Sequence, residues 1–137
     1  MKHRQHKQEN VPASPTKGEL EARISDLVVR FEREYMGRGP EEIRTYLIDD
    51  MVFIRLKKVL TPAEHHLSKI KEGSRLVKQT RLHLLESGKT FLEKIVRETL
   101  GRKVISMHTD ISTKTGDRVI ILTTDSPVVG VQFDSRV

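Results

Sequence analysis

The stretch Arg97–Thr124, RETLGRKVISMHTDISTKTGDRVIILTT, has an earlier echo in Arg33–Thr61, REYMGRGPEEIRTYLIDDMVFIRLKKVLT. Laid together, Arg33, Glu34, Gly37 and Arg38 fall on Arg97, Glu98, Gly101 and Arg102. After an excess of two residues, Gly39 and Pro40, Leu60 and Thr61 fall on Leu122 and Thr123. The pattern reads as one unit used twice: a helix, a glycine stop and a β-hairpin. Duplication and convergence would both produce it.

Each unit can be read outward from that stop. Thr16 followed by Glu19 is a capping box that opens the first helix. Leu20, Ile24, Leu27, Val28, Phe31 and Tyr35 then form one apolar stripe opposed by Glu21, Arg23, Arg30 and Glu34, and Gly37 closes the helix. From Glu41 to Leu60 β-branched and aromatic residues gather, and Asp49–Asp50 is the natural turn between two strands. Lys57 and Lys58 mark the second strand as an edge or its end as a charged rim. Thr61, Pro62 and Glu64 give cap, first-turn proline and capping-box acid. Helical spacing then continues to Leu100, predicting one helix of 39 residues, or the same helix broken at Glu72–Ser74. At 39 residues it would run about 58 Å and overhang a small sheet. Ser87 and Gly88 on its stripe would admit another backbone, so a homo-oligomer, most simply a two-fold dimer, is expected. Gly101 stops this helix, and Lys103–Thr113 and Asp117–Thr124 follow as strands around the turn Lys114–Gly116. The apolar run Val119–Leu122 predicts a central strand.

The expected fold is therefore α+β, with two α-β-β units placing two long helices against a four-stranded antiparallel sheet. Residues 1–15 read as a disordered basic arm. Residues 16–126 form one domain, in units 16–61 and 62–125, and 127–137 is a tail or short edge strand anchored by Val131 and Phe133.

Composition bounds the function. Of the 137 residues 32% are charged and 36% hydrophobic, ordinary proportions for a soluble domain. No apolar run approaches the ~18 residues that cross a bilayer, and MKHRQHKQEN lacks the apolar centre of a signal peptide. The reading is a cytoplasmic chain that cannot itself form an ion pathway. With no cysteine there is no thiol chemistry. The net charge of +6 suits nucleic acid, an anionic membrane surface or an acidic protein, and is also common where no such partner exists.

The densest polar segment runs from His108 to Arg118. Its hydroxyls and Lys114 could bind an anion, with His108 or Asp110 moving a proton; equally, alternate residues of a strand could simply face water. His65 and His66 are adjacent and cannot share a metal as an i, i+4 pair would, so neither metal nor cofactor is expected. No phosphate loop, GxGxxG or GxSxG occurs. Lys69, Lys71, Arg75, Lys78, Arg81, Lys89, Lys94 and Arg97 give the long helix more bases than acids, but they spread around it as a solvated face would, and no nucleic-acid-binding signature accompanies them.

The stretches LVVRFEREYMGRGPEEIRTYLIDDMVFIRL, LTPAE and KVISMHTDISTKTGDRVIILTT resemble, in that order, the MpsC family over residues 19–125. The family takes its name from a sodium-translocating, membrane-potential-generating system whose membrane components resemble bicarbonate transporters. The resemblance implies a non-enzymatic accessory role beside a membrane transport partner, peripheral at the inner face of the membrane. It singles out Gly37, Arg38, Gly39 and Pro40, then His108, Thr109, Asp110, Thr113, Thr115 and Gly116, as interaction or structural positions. Lys114 and Arg118 join them from the polar segment. The alternatives are a nucleic-acid-binding module using the basic helix and arm, and a small-anion enzyme using His108, Asp110 and Lys114.

Overall fold

Two capping boxes start the two helical arms. Thr16 Oγ1 accepts the Glu19 N–H at 3.1 Å while Glu19 Oε1 accepts the Thr16 N–H at 2.8 Å, and α1 (Lys17–Met36) follows. Thr61 and Glu64 repeat the arrangement at the start of α2 (Pro62–Leu67). These features belong to a computed structural model that describes residues 14–128. Nearly all of the basic arm, and Val131 and Phe133 of the tail, lie outside the described residues.

Gly37 ends α1 at φ 81°, the left-handed conformation that a Cβ disfavours. β1 (Glu42–Ile48) and β2 (Met51–Lys57) pair antiparallel through a tight turn at Asp49–Asp50, where Asp49 adopts φ 51°. Gly101 repeats the left-handed stop at φ 67°, ahead of β3 (Val104–Ile111) and β4 (Arg118–Thr124). The sheet order is β1-β2-β4-β3 and every neighbouring pair is antiparallel. The fold is α+β. β4 is central, as its apolar run predicts. β2 is also internal, so the lysines at its end mark a charged rim and not an edge strand; Lys57 Nζ lies 3.9 Å from Glu42. The true edges are β1 and β3, and β3 carries a bulge between Val104 and Ser106 that leaves Ile105 60% exposed.

The unbroken 39-residue helix does not form. The arm is α2, then α3 (Lys71–Ser87) and α4 (Lys89–Leu100). The first break falls at Ser68–Ile70, N-terminal to the Glu72–Ser74 alternative, with Ile70 in extended backbone. Its physical reason is a contact that a straight helix forbids. Arg81 Nε and Nη2 donate to Glu64 at 2.9 and 2.6 Å, yet residues this far apart on one helix would sit about 25 Å apart. α2 must fold back on α3, and Gly73 makes the approach possible, because a Cβ there would lie 1.9 Å from the Leu67 carbonyl oxygen.

The second break is Gly88, where a Cβ would lie 2.6 Å from the Phe31 ring. Phe31 stacks on Tyr35 at 5.0 Å, and the Tyr35 hydroxyl reaches the Ser87 carbonyl at 3.5 Å. Gly88, one of the two small residues expected to admit a second subunit, instead admits α1 of the same chain.

α1 lies over β1 and beside α4, while α3 and α4 meet β3. Apolar groups of the helices and of one sheet face, among them Ile24, Val28, Phe31, Leu85, Ile54 and Leu122, form one core. The other sheet face is open, with Tyr46, Phe53, Ile121 and His108 aligned across all four strands.

Gly73→Ala tests the fold-back. Forcing the Leu67 carbonyl away should cost about 1–3 kcal/mol, against less than ~1 kcal/mol gained in helix propensity. A lower urea midpoint is expected, and an unchanged or raised midpoint would mean that α2 is not clamped at this glycine.

Candidate functional site

Charge has been drawn into the core at one end of the sheet. Val77, Arg81 and Leu85 succeed one another at four-residue spacing on the buried side of α3, and Glu32 follows Val28 in the same way on α1. On β4, Arg118 alternates inward with Ile120 and Leu122. Each therefore occupies a core position: Glu32 is 0%, Arg118 1% and Arg81 2% exposed.

The four charged groups are unequally satisfied. Glu64 accepts two hydrogen bonds from Arg81 and one, at 2.9 Å, from the Thr61 N–H, so it completes a cap and an ion pair together. Arg81 Nη2 also donates to the Val59 carbonyl at 2.9 Å. By contrast both Glu32 oxygens, Arg118 Nε and Nη1, and Arg81 Nη1 are buried without a hydrogen-bond partner among the described residues. Buried polar atoms are rarely left in this state, since each forfeits its hydration.

Titration follows the same division. Burial raises the Glu32 pKa, and Arg118 and Arg81 only partly offset it. For Glu64 burial also works against the anion, but the bonds from Arg81 and Thr61 outweigh it and hold the pKa below the ordinary carboxylate value. Burial draws Arg118 down from the ordinary guanidinium value, with Glu32 as the main opposing charge.

Two surface clefts adjoin this cluster. One, of about 540 Å³, runs beside the β3–β4 hairpin and is bordered by Arg55, Lys78, Asp110, Thr113, Lys114 and Asp117. Lys78 Nζ pairs with Asp110 at 3.4 Å and Arg55 with Asp117 at 3.7 Å, while the Thr113 hydroxyl meets that of Ser74. The other, of about 450 Å³, is bordered by Arg38, Lys58, His65, His66 and Lys69 with Leu60 and Pro62, and no carboxylate lines it. Arg38 Nη1 donates to the Leu60 carbonyl at 3.1 Å, which fixes the guanidinium at its wall. Lys58 sits at φ 57°, with its N–H on Asp117 Oδ1 at 3.3 Å.

The structure thus divides the expected site residues. Asp110, Thr113 and Lys114 share the hairpin cleft. Arg38 lines the basic cleft, and Gly116, at φ 80°, lies behind it, close to His65 and Lys58. Gly37, Gly39 and Pro40 shape the α1–β1 connection that carries Arg38, with Gly39 packed on the Arg33 side chain. The Thr109 hydroxyl is spent on the Val119 carbonyl at 2.7 Å, and the Thr115 hydroxyl accepts the Asp117 N–H at 3.2 Å. His108 lines neither cleft; it faces out from the open sheet, 3.1 Å from the Ser106 hydroxyl. Arg118, expected among the interaction positions of the polar segment, is buried, and so is Arg81, expected on a solvated helix face. Glu32 was not singled out by the sequence reading at all. Its four-residue spacing from Val28 was the available signal.

Among the described residues no three His, Asp or Glu side chains gather as a metal site, and no helix is long and apolar enough to cross a membrane.

The architecture defines an α+β protein with helices on one face of a β1-β2-β4-β3 antiparallel sheet and a charged cluster beneath them. Residues 16–126 match the family described as "Na+-translocating membrane potential-generating system (MpsC)". The chain is 42% identical over 106 residues to YbcI of Bacillus subtilis (strain 168), covering 77% of this chain and 86% of that protein. It is 24% identical over 107 residues to YrhF of the same organism, covering 77% and 87%. Both relatives are described as uncharacterized. The chain belongs to the MpsC family. No solved structure matches it significantly.

The two carboxylates should respond to pH with opposite sign. Glu32, with its folded pKa raised, contributes stability that is full below the unfolded value of about 4.3 and is lost as pH rises through the folded one. Glu64, with its folded pKa lowered, contributes stability that is present above about 4.3 and lost as pH falls through the folded value. Denaturant melts of Glu32→Gln across this range should therefore show the variant gaining on the native protein as pH rises above about 4.3. A flat difference would mean that the arginines balance burial at Glu32, and one that falls with pH that they outweigh it.

Proposed function

We propose that this protein is a non-enzymatic accessory or regulatory component of a membrane ion transport system, of the sodium- or bicarbonate-linked kind, and works at the membrane's inner face through a membrane-protein partner. The observation that carries this reading is the family match across almost all of the described residues, in a chain whose described helices include none able to cross a bilayer. A part in generating a membrane potential then has to pass through another protein. The basic cleft at Arg38, Lys58 and Lys69 supplies the contact, since a wall of cations without an intervening carboxylate complements an acidic loop and speeds its encounter. Family positions Gly37–Pro40 present Arg38 there, which gives that segment a role in recognition.

The test is affinity purification of the tagged protein from its own host at moderate salt, with membrane and soluble fractions kept apart. A polytopic membrane protein should be recovered in near-stoichiometric yield, and the double reversal Arg38→Glu, Lys69→Glu should lower that yield roughly ten-fold, equivalent to about 1.4 kcal/mol. Recovery of nucleic acid, or of the chain alone, would overturn the proposal.

A further inference from the structure

A small cavity of about 130 Å³ lies between α3 and the edge strand β3, and shares Lys78, Asp110 and Ile111 with the hairpin cleft. Lys78, Gln79 and Leu82 form its helical wall, and Thr109, Asp110, Ile111 and Arg118 its sheet wall. It is small beside the clefts of about 540 and 450 Å³, and suits a ligand of a few heavy atoms.

The chemistry of these walls is selective. Arg118 is 1% exposed, and its Nε and Nη1 have no acceptor among the described residues. Arg81, the other buried guanidinium, has its carboxylate in Glu64. Glu32 acts on Arg118 through space but accepts no hydrogen bond from it. Of the other polar walls, the Thr109 hydroxyl donates to the Val119 carbonyl. Asp110 is engaged by Lys78 and by the Ile111 N–H at 2.9 Å. A planar guanidinium with open donors matches a carboxylate, which can take parallel hydrogen bonds from it. Leu82 and Ile111 beside it offer surface to an alkyl group, which a carboxylate ligand can carry and inorganic phosphate cannot.

From this juxtaposition we infer that the cavity between α3 and β3 is a binding site for a short-chain monocarboxylate of acetate or propionate size, held through its carboxylate by Arg118 and through its alkyl group by Leu82 and Ile111. Lys78 and Asp110 stand at the mouth as an exposed ion pair that an entering anion can loosen without disturbing the core. With Nε and Nη1 of Arg118 lacking an acceptor among the described residues, its guanidinium is the cation the ligand compensates. The site is independent of the basic cleft and of any membrane partner.

The experiment is an amide-shift titration of the purified protein with sodium acetate, sodium propionate and inorganic phosphate, with ionic strength held constant by chloride. Acetate and propionate should produce saturable shifts at Gln79 and Thr109–Ile111, and phosphate should not. Leu82→Trp fills the cavity from a side chain that is 38% exposed in the native protein, so the fold should persist while carboxylate binding weakens at least ten-fold. Arg118→Lys, which keeps the charge and removes the planar fork, should weaken it similarly. The inference is overturned if no carboxylate saturates, if phosphate binds as well, or if a folded Leu82→Trp protein binds as the native one does.

Discussion

The pair Arg81–Glu64 is the constraint on which the helical arm depends. Apolar periodicity would let the chain from Pro62 to Leu100 run as one rod. The bidentate ion pair instead requires α2 to turn back on α3, and Gly73 and the extended Ile70 make that turn possible. The same guanidinium reaches the Val59 carbonyl, so it ties the loop leaving β2 to the helix that covers the sheet. Glu64 is also the acid of its own capping box. One carboxylate thus starts α2, directs it and anchors a buried cation, and breaking a partly buried pair of this kind is costly because the charge left behind has no water to turn to.

Much of the architecture was readable from local chemistry. The capping boxes at Thr16 and Thr61, the glycine stops at 37 and 101 and the turn at Asp49–Asp50 act over a few residues, and each acts through a backbone preference visible in a single side chain. The breaks in the helical arm were not readable in this way. A glycine at 73 or 88 is only a mild helix weakener until the atom opposite it is known, and those atoms, the Leu67 carbonyl and the Phe31 ring, come from tertiary packing. The candidate site was legible in part for the same reason. Asp110, Thr113 and Lys114 cluster because a hairpin keeps sequence neighbours together, whereas Glu32, Arg81 and Arg118 meet from separate elements. Charge among apolar positions at four-residue or alternate spacing was the available clue, and ordinary expectation assigns such charge to solvent.

The two clefts are linked through one loop. The loop from Lys58 to Thr61 passes between the basic cleft and the Arg81–Glu64 pair, with its backbone held by Gly116, Asp117 and Arg81. The Arg38 wall and the hairpin cleft are therefore built on one rigid foundation. A disturbance of Glu64 would be felt in both, although neither cleft contains it.

The bulge in β3 has a consequence for assembly. An exposed strand edge offers a row of unpaired amides and carbonyls that can recruit a strand from another chain, and a bulge interrupts that row. With Ile105 displaced, only the Met107–Ile111 half of β3 retains a regular edge, and Lys78 reaches across it to Asp110. β1 is an edge of seven residues with Glu42 and Arg44 along it, and its Leu47 N–H is already taken by Glu21 of α1 at 2.9 Å. The two edges are thus blunted by different means, one by a bulge with a lysine reaching across it, the other by a helix carboxylate on an edge amide and by surface charge.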